Sequence, residues 1–495
     1  MTGVEGRSVR VSEYFGLSGT QATLDFIDVY VDRDLPLFID PSVLANMNSS
    51  WANECASRVQ NFFQSVLDLI RAGQNGAAKT LLSFLGEDNS TRLGYSKRSR
   101  GSGVGPGLAE KFYAELSTSS ALQSGLISDI EDAALFIEGV REDRISDVVT
   151  NIIRPQLVQF TQAVANYYGI PVTPSVSVAC CWNPQRRMWD EPEFFDLPVA
   201  GAPLLLVPKS IVRRKLFHDP GEYYRYYVLP FFQRDELARR STLVHVLRSG
   251  AHRVYKKDVE RKYRAKHQAG EVPGVEKRIN LDATDRNPEL LQSFKDNKEL
   301  RPAPALSHED ISKATNTLEP DFGPLLSDVL AIEPGQAGAD AYEKAIEALL
   351  TALFYPDLAN PVRQMRIHDE RKRIDITYSN MGRSGFFEWL SKHYPSANIM
   401  VECKNYSRPL GNPEYDQIAG RFSPSRGLYG LLVYRSYSDK RRVLNSLRDT
   451  ARDSRGFITA LDDDDLKSLV GEVEQNGTAA SLSGLLRQRF NALIN

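Results

Sequence analysis

Cysteine is scarce in this sequence: four in 495 residues, at Cys55, Cys180, Cys181 and Cys403. None forms a CxxC pair or falls at zinc-ligand spacing, which excludes a disulfide framework and a structural zinc and suggests a reducing, cytoplasmic setting. The seven histidines are scattered, with no HxxxH or HxH spacing, so a histidine metal cluster is not expected. No apolar run has the length needed to span a bilayer, and no membrane partner is expected. The opening "MTGVEGRSVRVSEYFG" lacks the apolar core of a secretory signal. Net charge is nearly absent too, at −2, so the chain as a whole is not a basic nucleic-acid binder. There is no GK[ST] phosphate loop, so nucleotide-driven work would need a partner ATPase. No internal repeat or low-complexity tract occurs.

What is present is an ordinary globular composition, 42% hydrophobic and 25% charged, in a chain long enough for two or three domains. Three sections are expected: an α+β region over 1–240 for recognition or regulation, a basic helical connector over 241–335, and a domain over 336–495. In the first, "LDFIDVYV" and "LPLFIDP" alternate like strands. "ASRVQNFFQSVLDLIRAG" and "DVVTNIIRPQLVQFTQAVANYYG" have helical periodicity, with Pro155 a kink or a helix start. "GAPLLLVPKSIV" reads as a short buried strand, and "EYYRYYVLPFFQ" as core or an interface. Asp28, Asp32 and Asp40 read as exposed strand acids and turn formers rather than a metal site. The glycine-rich 101–116 stretch resembles the hairpin of helix–hairpin–helix DNA-binding elements at Gly103–Ala109. It lacks that motif's first helix and reads as a loop with a helix start. "RSGAHRVYKKDVERKYRAK" carries eight Lys/Arg against two acids. Such a run suits phosphate tracking, although a solvated helix face is the commoner meaning.

The chemistry is concentrated near the C-terminus. "AGADAYEKAIEALLTALFYP" places Tyr342, Ile346, Leu349, Leu350 and Leu353 on one helical stripe. "RKRIDITYS" is a strand carrying Asp375, with a further strand expected before it. In "IMVECKNYSRPLG", Glu402 and Lys404 share one strand face and Val401 and Cys403 the other. "EYDQIAGRF" reads as a helix bearing Gln417, followed by strand, helix, strand and helix. Two carboxylates can hold a hard divalent cation, which polarises a phosphate and acidifies a water. A lysine two residues along can orient that water or offset charge in the transition state. A surface ion pair beside a solvated Asp375 is the alternative, but it does not explain three polar positions on otherwise apolar strands.

These residues resemble the D…ExK signature of the PD-(D/E)XK nuclease superfamily, particularly its Mrr-like restriction-endonuclease branch. The resemblance covers about the last third of the chain. It implies an α/β restriction-endonuclease-like domain, a mixed central sheet flanked by helices, behind the larger α+β N-terminal region. It also implies Asp375 and Glu402 as metal ligands, the Cys403 carbonyl as a further one, and Lys404 as the catalytic lysine. Glu343 and Gln417 match supporting positions on the flanking helices. The expected activity is Mg²⁺-dependent DNA endonuclease, with Mn²⁺ as substitute, in restriction or antiviral defence. A homodimer and a partner defence protein are the assemblies such enzymes use. The rival readings are an RNA or structure-specific nuclease on the same fold, and a non-catalytic DNA-binding or assembly protein on a nuclease-like scaffold. The stretch between Asp375 and Glu402 is longer than a hairpin and should hold a short helix or flap.

Overall fold

The structure is a computed structural model and describes residues 8–47, 49–86, 88–95, 107–118, 127–137, 140–267, 275–300, 305–367, 372–382, 385–476 and 483–495. The chain is mixed α/β and divides into two compact units. One comprises Met1–Tyr14, Val29–Val207 and Ile211–Ala303; the other comprises Phe15–Asp28, Pro208–Ser210 and Pro304–Asn495. The division therefore differs from three consecutive sections: 241–303 belongs to the first unit, 304–335 to the second, and two short pieces of 1–240 join the second.

The first unit is mainly helical. Helix Ser50–Arg71 starts where the Ser49 side chain accepts from the Ala52 N–H, and it buries Val59, Phe62, Phe63 and Val66. Helix Arg154–Tyr168 starts with Pro155 in its first turn and stops at Gly169, which is left-handed at φ 68°. Pro155 thus marks a helix start, where its missing N–H costs nothing. Several expected strands are not formed. Of "LDFIDVYV" and "LPLFIDP" only Phe38–Ile39 is a strand, paired with Val212–Arg213. Most of the other residues are buried outside any strand, with Phe26 and Tyr30 in isolated bridges. Asp28 and Asp40 are buried, correcting their reading as exposed; Asp40 caps helix Pro41–Asn46 by accepting from Ser42 N. The aromatic stretch folds as helix Pro220–Tyr223, a π-helical turn Tyr224–Val228 and helix Leu229–Ala238, with Tyr223, Tyr224 and Phe232 in the core.

In the second unit the elements run α1 (His308–Thr315), α2 (Phe322–Ala331), α3 (Ala339–Phe354), β1 (Leu358–Ile367), β2 (Lys372–Asn380), α4 (Gly385–His393), β3 (Asn398–Lys404), α5 (Asn412–Ala419), β4 (Tyr429–Tyr434), α6 (Lys440–Arg452), β5 (Phe457–Leu461), α7 (Asp463–Asn476) and α8 (Ser483–Ile494). The five strands form one sheet in the order β1-β2-β3-β4-β5. The first three pair antiparallel, and β3-β4-β5 run parallel. Parallel neighbours need crossovers, which α5 and α6 provide. β4 is buried along its whole length, which is why "YGLLVY" is an unbroken apolar run. Its Leu431 and Val433 join Tyr342, Ile346, Leu349, Val401 and Leu461 in one core. Leu432 and Tyr434 point the other way, onto Ile418 of α5 and Val443 and Leu447 of α6. Helices therefore cover both faces of the sheet. The flap expected between Asp375 and Glu402 is α4, whose Phe386, Phe387 and Leu390 are core residues.

Candidate active site

β2 and β3 pair from Ser379–Asn398 to Ile376–Val401 and then part. Asp375 and Glu402 are the first residues beyond the last pair, so the two carboxylates flank the open end of the ladder. Past that end the Asp375 side chain replaces the missing backbone partner: its Oδ2 accepts from the Cys403 N–H at 2.9 Å. Strand alternation does what the sequence suggests, since Val401 is in the core and Cys403 packs against it. Glu402 and Lys404 face a cleft of about 260 Å³ that Asp375, Glu343 and Gln417 also line.

All five candidate side chains and the Cys403 main chain therefore meet in one place. Lys404 Nζ donates to Glu402 Oε1 at 2.8 Å and to Gln417 Oε1 at 3.1 Å. The Gln417 amide also donates to Glu402 Oε1, closing a three-membered ring of side chains. Among the described residues only Oε1 of Glu402 is engaged; Oε2 is buried without a hydrogen-bond partner there. Burial, with Asp375 close by, pushes the Glu402 carboxyl up to about 7 despite Lys404 and Arg421. The Lys404 pKa is raised as well, which here favours the charged form. Burial disfavours its charge, but Glu402 and Asp375 outweigh burial and raise its pKa, so it stays an ammonium. Burial and Asp375 also raise the Glu343 carboxyl. Burial holds the Cys403 thiol well above its usual range, so it is a neutral core group rather than a nucleophile.

An orphaned buried carboxylate oxygen beside a second carboxylate is the donor set a hard divalent cation takes. Among the described residues, no group of three or more His, Cys, Asp or Glu side chains forms a ready cage. The acids suit an ion that keeps several of its own waters, as Mg²⁺ does on one or two carboxylates.

Further polar residues that sequence reasoning missed support the site: Arg373, Asn405 and Arg421 line the cleft, and Gln364 stands beside Glu343. Gln364 lies in β1 at φ 48°, an uncommon angle for a non-glycine residue, and its amide donates to Glu343 Oε1 at 3.3 Å. Arg373 donates in turn to Gln364 Oε1 at 3.2 Å. Asn405 follows Lys404 and donates to the Glu333 and Gly335 carbonyls at 3.0 and 3.1 Å, tying the end of β3 to the turn before α3. No motif marks Gln364, because its role depends on strand pairing. Asn405 directly follows the ExK triplet, and that position was its only signal.

The other sequence signals lie elsewhere. The basic run forms helix Lys256–His267 after a short hairpin, and four of its eight Lys/Arg pair with protein acids. Arg261 pairs with Asp258, Lys262 with Glu236, Arg264 with Glu260 and Glu276, and Lys266 with Asp282. That is a salt-bridged helix face. Residues 101–106, which include most of the glycine-rich loop, lie outside the described residues. Helix Gly107–Thr118 follows them. No described helix is long and apolar enough to cross a membrane.

A family model described as "Domain of unknown function (DUF8370)" matches residues 16–218, a region that contains none of the cleft residues. Comparison with curated proteins and with solved structures gives no match.

Proposed function

We propose that the cleft is the active site of a metal-dependent nuclease of the restriction-endonuclease-like fold, hydrolysing DNA phosphodiester bonds. One observation carries this reading: Asp375, Glu402 and Lys404, from two strands, meet at the fork of the sheet with Glu402 Oε2 left unsatisfied. Asp375 and Glu402 would hold Mg²⁺, with the Cys403 carbonyl as a further ligand, and the chemistry supplied there is polarisation of the phosphate and activation of water. Lys404, kept cationic by its carboxylate neighbours, orients the attacking water and offsets charge growing on the phosphate. Gln417 fixes the Lys404 and Glu402 rotamers through its two hydrogen bonds. Glu343, held by Gln364, adds a further carboxylate to the cleft close enough to Asp375 to feel its charge, and would support the ion from there. The setting proposed with this activity is restriction or antiviral defence, with cutting of both strands by a homodimer; it is supported by the likeness of the motif alone.

The test is plasmid cleavage by the wild type, Lys404→Ala and Asp375→Asn in Mg²⁺, Mn²⁺ and EDTA, with duplex DNA, single strands and RNA compared side by side. Metal-dependent cutting of DNA that both variants lose is the expected result. Equal cutting by wild type and Lys404→Ala would remove the proposal.

A further inference from the structure

Arg421 follows α5, four residues beyond Gln417, and lines the same cleft. It is 8% exposed. Its Nε is buried without a hydrogen-bond partner, and among the described residues the guanidinium has no carboxylate within ion-pair distance. Glu402 feels its charge, but only as the last and weakest of the influences on that carboxyl. The neighbouring arginine behaves differently: Arg426 donates through Nε and Nη2 to the Arg421 carbonyl, at 3.2 and 3.0 Å. That contact fixes the main chain at Arg421 and leaves its side chain to the cleft.

A buried guanidinium without an anion is costly, because desolvation of the charge goes uncompensated. Arginine cannot escape by losing its proton. Such a group persists where an anion is to arrive. The cleft's charges say which anion. Asp340, Glu343, Asp375 and Glu402 face Arg373, Lys404 and Arg421, so with every group ionised the lining carries one excess negative charge. A divalent cation would leave one excess positive charge, which a singly charged phosphodiester neutralises. Lys404 and Arg373 are already engaged, by Glu402 and Gln364 respectively. Arg421 is the cation left for the incoming group, and its planar fork of donors matches phosphate oxygens.

We infer that Arg421 is the phosphate-binding residue of this cleft, gripping the non-bridging oxygens of the phosphodiester at or next to the scissile bond. The inference rests on the nuclease reading for the identity of the substrate, but not for its measurement. Binding of a fluorescent duplex by the full chain is followed by anisotropy in Ca²⁺, and cleavage is followed separately in Mg²⁺, for wild type, Arg421→Ala, Arg421→Lys and Lys404→Ala. Arg421→Ala should bind about tenfold more weakly, the loss of one charge-assisted contact, with a melting temperature no lower than that of the wild type, since the uncompensated buried charge is gone. Arg421→Lys should regain part of the affinity, which a purely structural role would not show. If Arg421→Ala binds as the wild type does while Lys404→Ala alone stops cutting, the phosphate assignment fails and the nuclease reading stands. Arg421-dependent binding without cutting by any protein would sink the nuclease reading and keep the phosphate site. A wild type that binds no duplex would overturn both.

Discussion

Glu402 is almost fully buried, yet one of its carboxylate oxygens has no partner. A buried oxygen left so costs about 1–3 kcal/mol, a cost that persists in a site kept for a ligand. The side chains around it differ in what they can lose. Lys404 touches Glu402 directly and faces the cleft, so Lys404→Ala should lower the rate of cleavage by about 100- to 1000-fold, the usual loss of a charge-stabilising donor. Gln417 acts only through Lys404 and Glu402, and Gln417→Ala should cost about tenfold, within the range of an orienting second partner. Single-turnover rates at saturating Mg²⁺ separate the two; equal losses would place Gln417 on the substrate itself. His308 offers a different readout. Its Nε2–H donates to the Ala352 carbonyl at 2.8 Å, and burial, with Lys209 near, lowers its pKa to about 4. The unfolded chain, with an ordinary histidine near 6.5, then binds more protons than the folded one between those values. Stability should fall as pH drops from about 6.5 towards 4. His308→Gln, which keeps a donor, should flatten that slope in thermal melts; an unchanged slope assigns it to other groups.

At the scale of elements, legibility followed burial on one face. The stripe Tyr342, Ile346, Leu349, Leu350, Leu353 is the buried face of α3, and all five residues are at most 1% exposed. β1 was expected only as a strand before Asp375, and it is there. The candidate site was legible because ExK and Asp375 sit on strands whose period of two fixes their facing. The N-terminal stretch was less so: "LDFIDVYV", divided between the two units, has strand-like alternation, but its residues form isolated bridges rather than a ladder, and pairing rather than propensity decides a strand. The turn before α3 was not legible at all. There a Cβ on Gly338 would meet the Glu333 carbonyl at 2.7 Å and Asn405 Nδ2 at 2.9 Å. Neither neighbour can retreat, because Asn405 holds Glu333 and Gly335 by hydrogen bonds. Gly338→Ala should cost about 1–3 kcal/mol of stability, the usual cost of overpacking, and should weaken Mg²⁺ binding by shifting the start of the Glu343 helix against β3. Calorimetry of Mg²⁺ binding and a melt check both; wild-type values in each would show that the turn does not set the site.

At the scale of the whole chain, the second unit is not a contiguous stretch, and no local pattern announced this. Lys209 is buried, donates to the Ala22 carbonyl at 2.9 Å and lies 4.3 Å from the Tyr355 ring centre. Arg363 of β1 reaches Glu347 of α3 at 2.8 Å and Asp25 at 3.2 Å. Asp25 and Glu347 are themselves buried. A fragment cut at 304–495 loses Asp25 and Lys209 and keeps Arg363 with half of its acids. One cut at 336–495 also loses Val329, which belongs to the same core as Leu431 and Val401. Removing one partner of a buried pair costs about 3–5 kcal/mol, a large share of what holds a domain together. The 304–495 fragment should therefore melt well below the second unit of the full chain, and Asp25→Asn in the full chain should lower that transition in the same direction by a smaller amount. Adding a peptide of residues 15–28 in excess should raise the melting temperature of the fragment, because a ligand of the folded state alone stabilises it. A fragment that melts like the full chain and ignores the peptide would mean that Arg363 and Glu347 hold the sheet without Asp25.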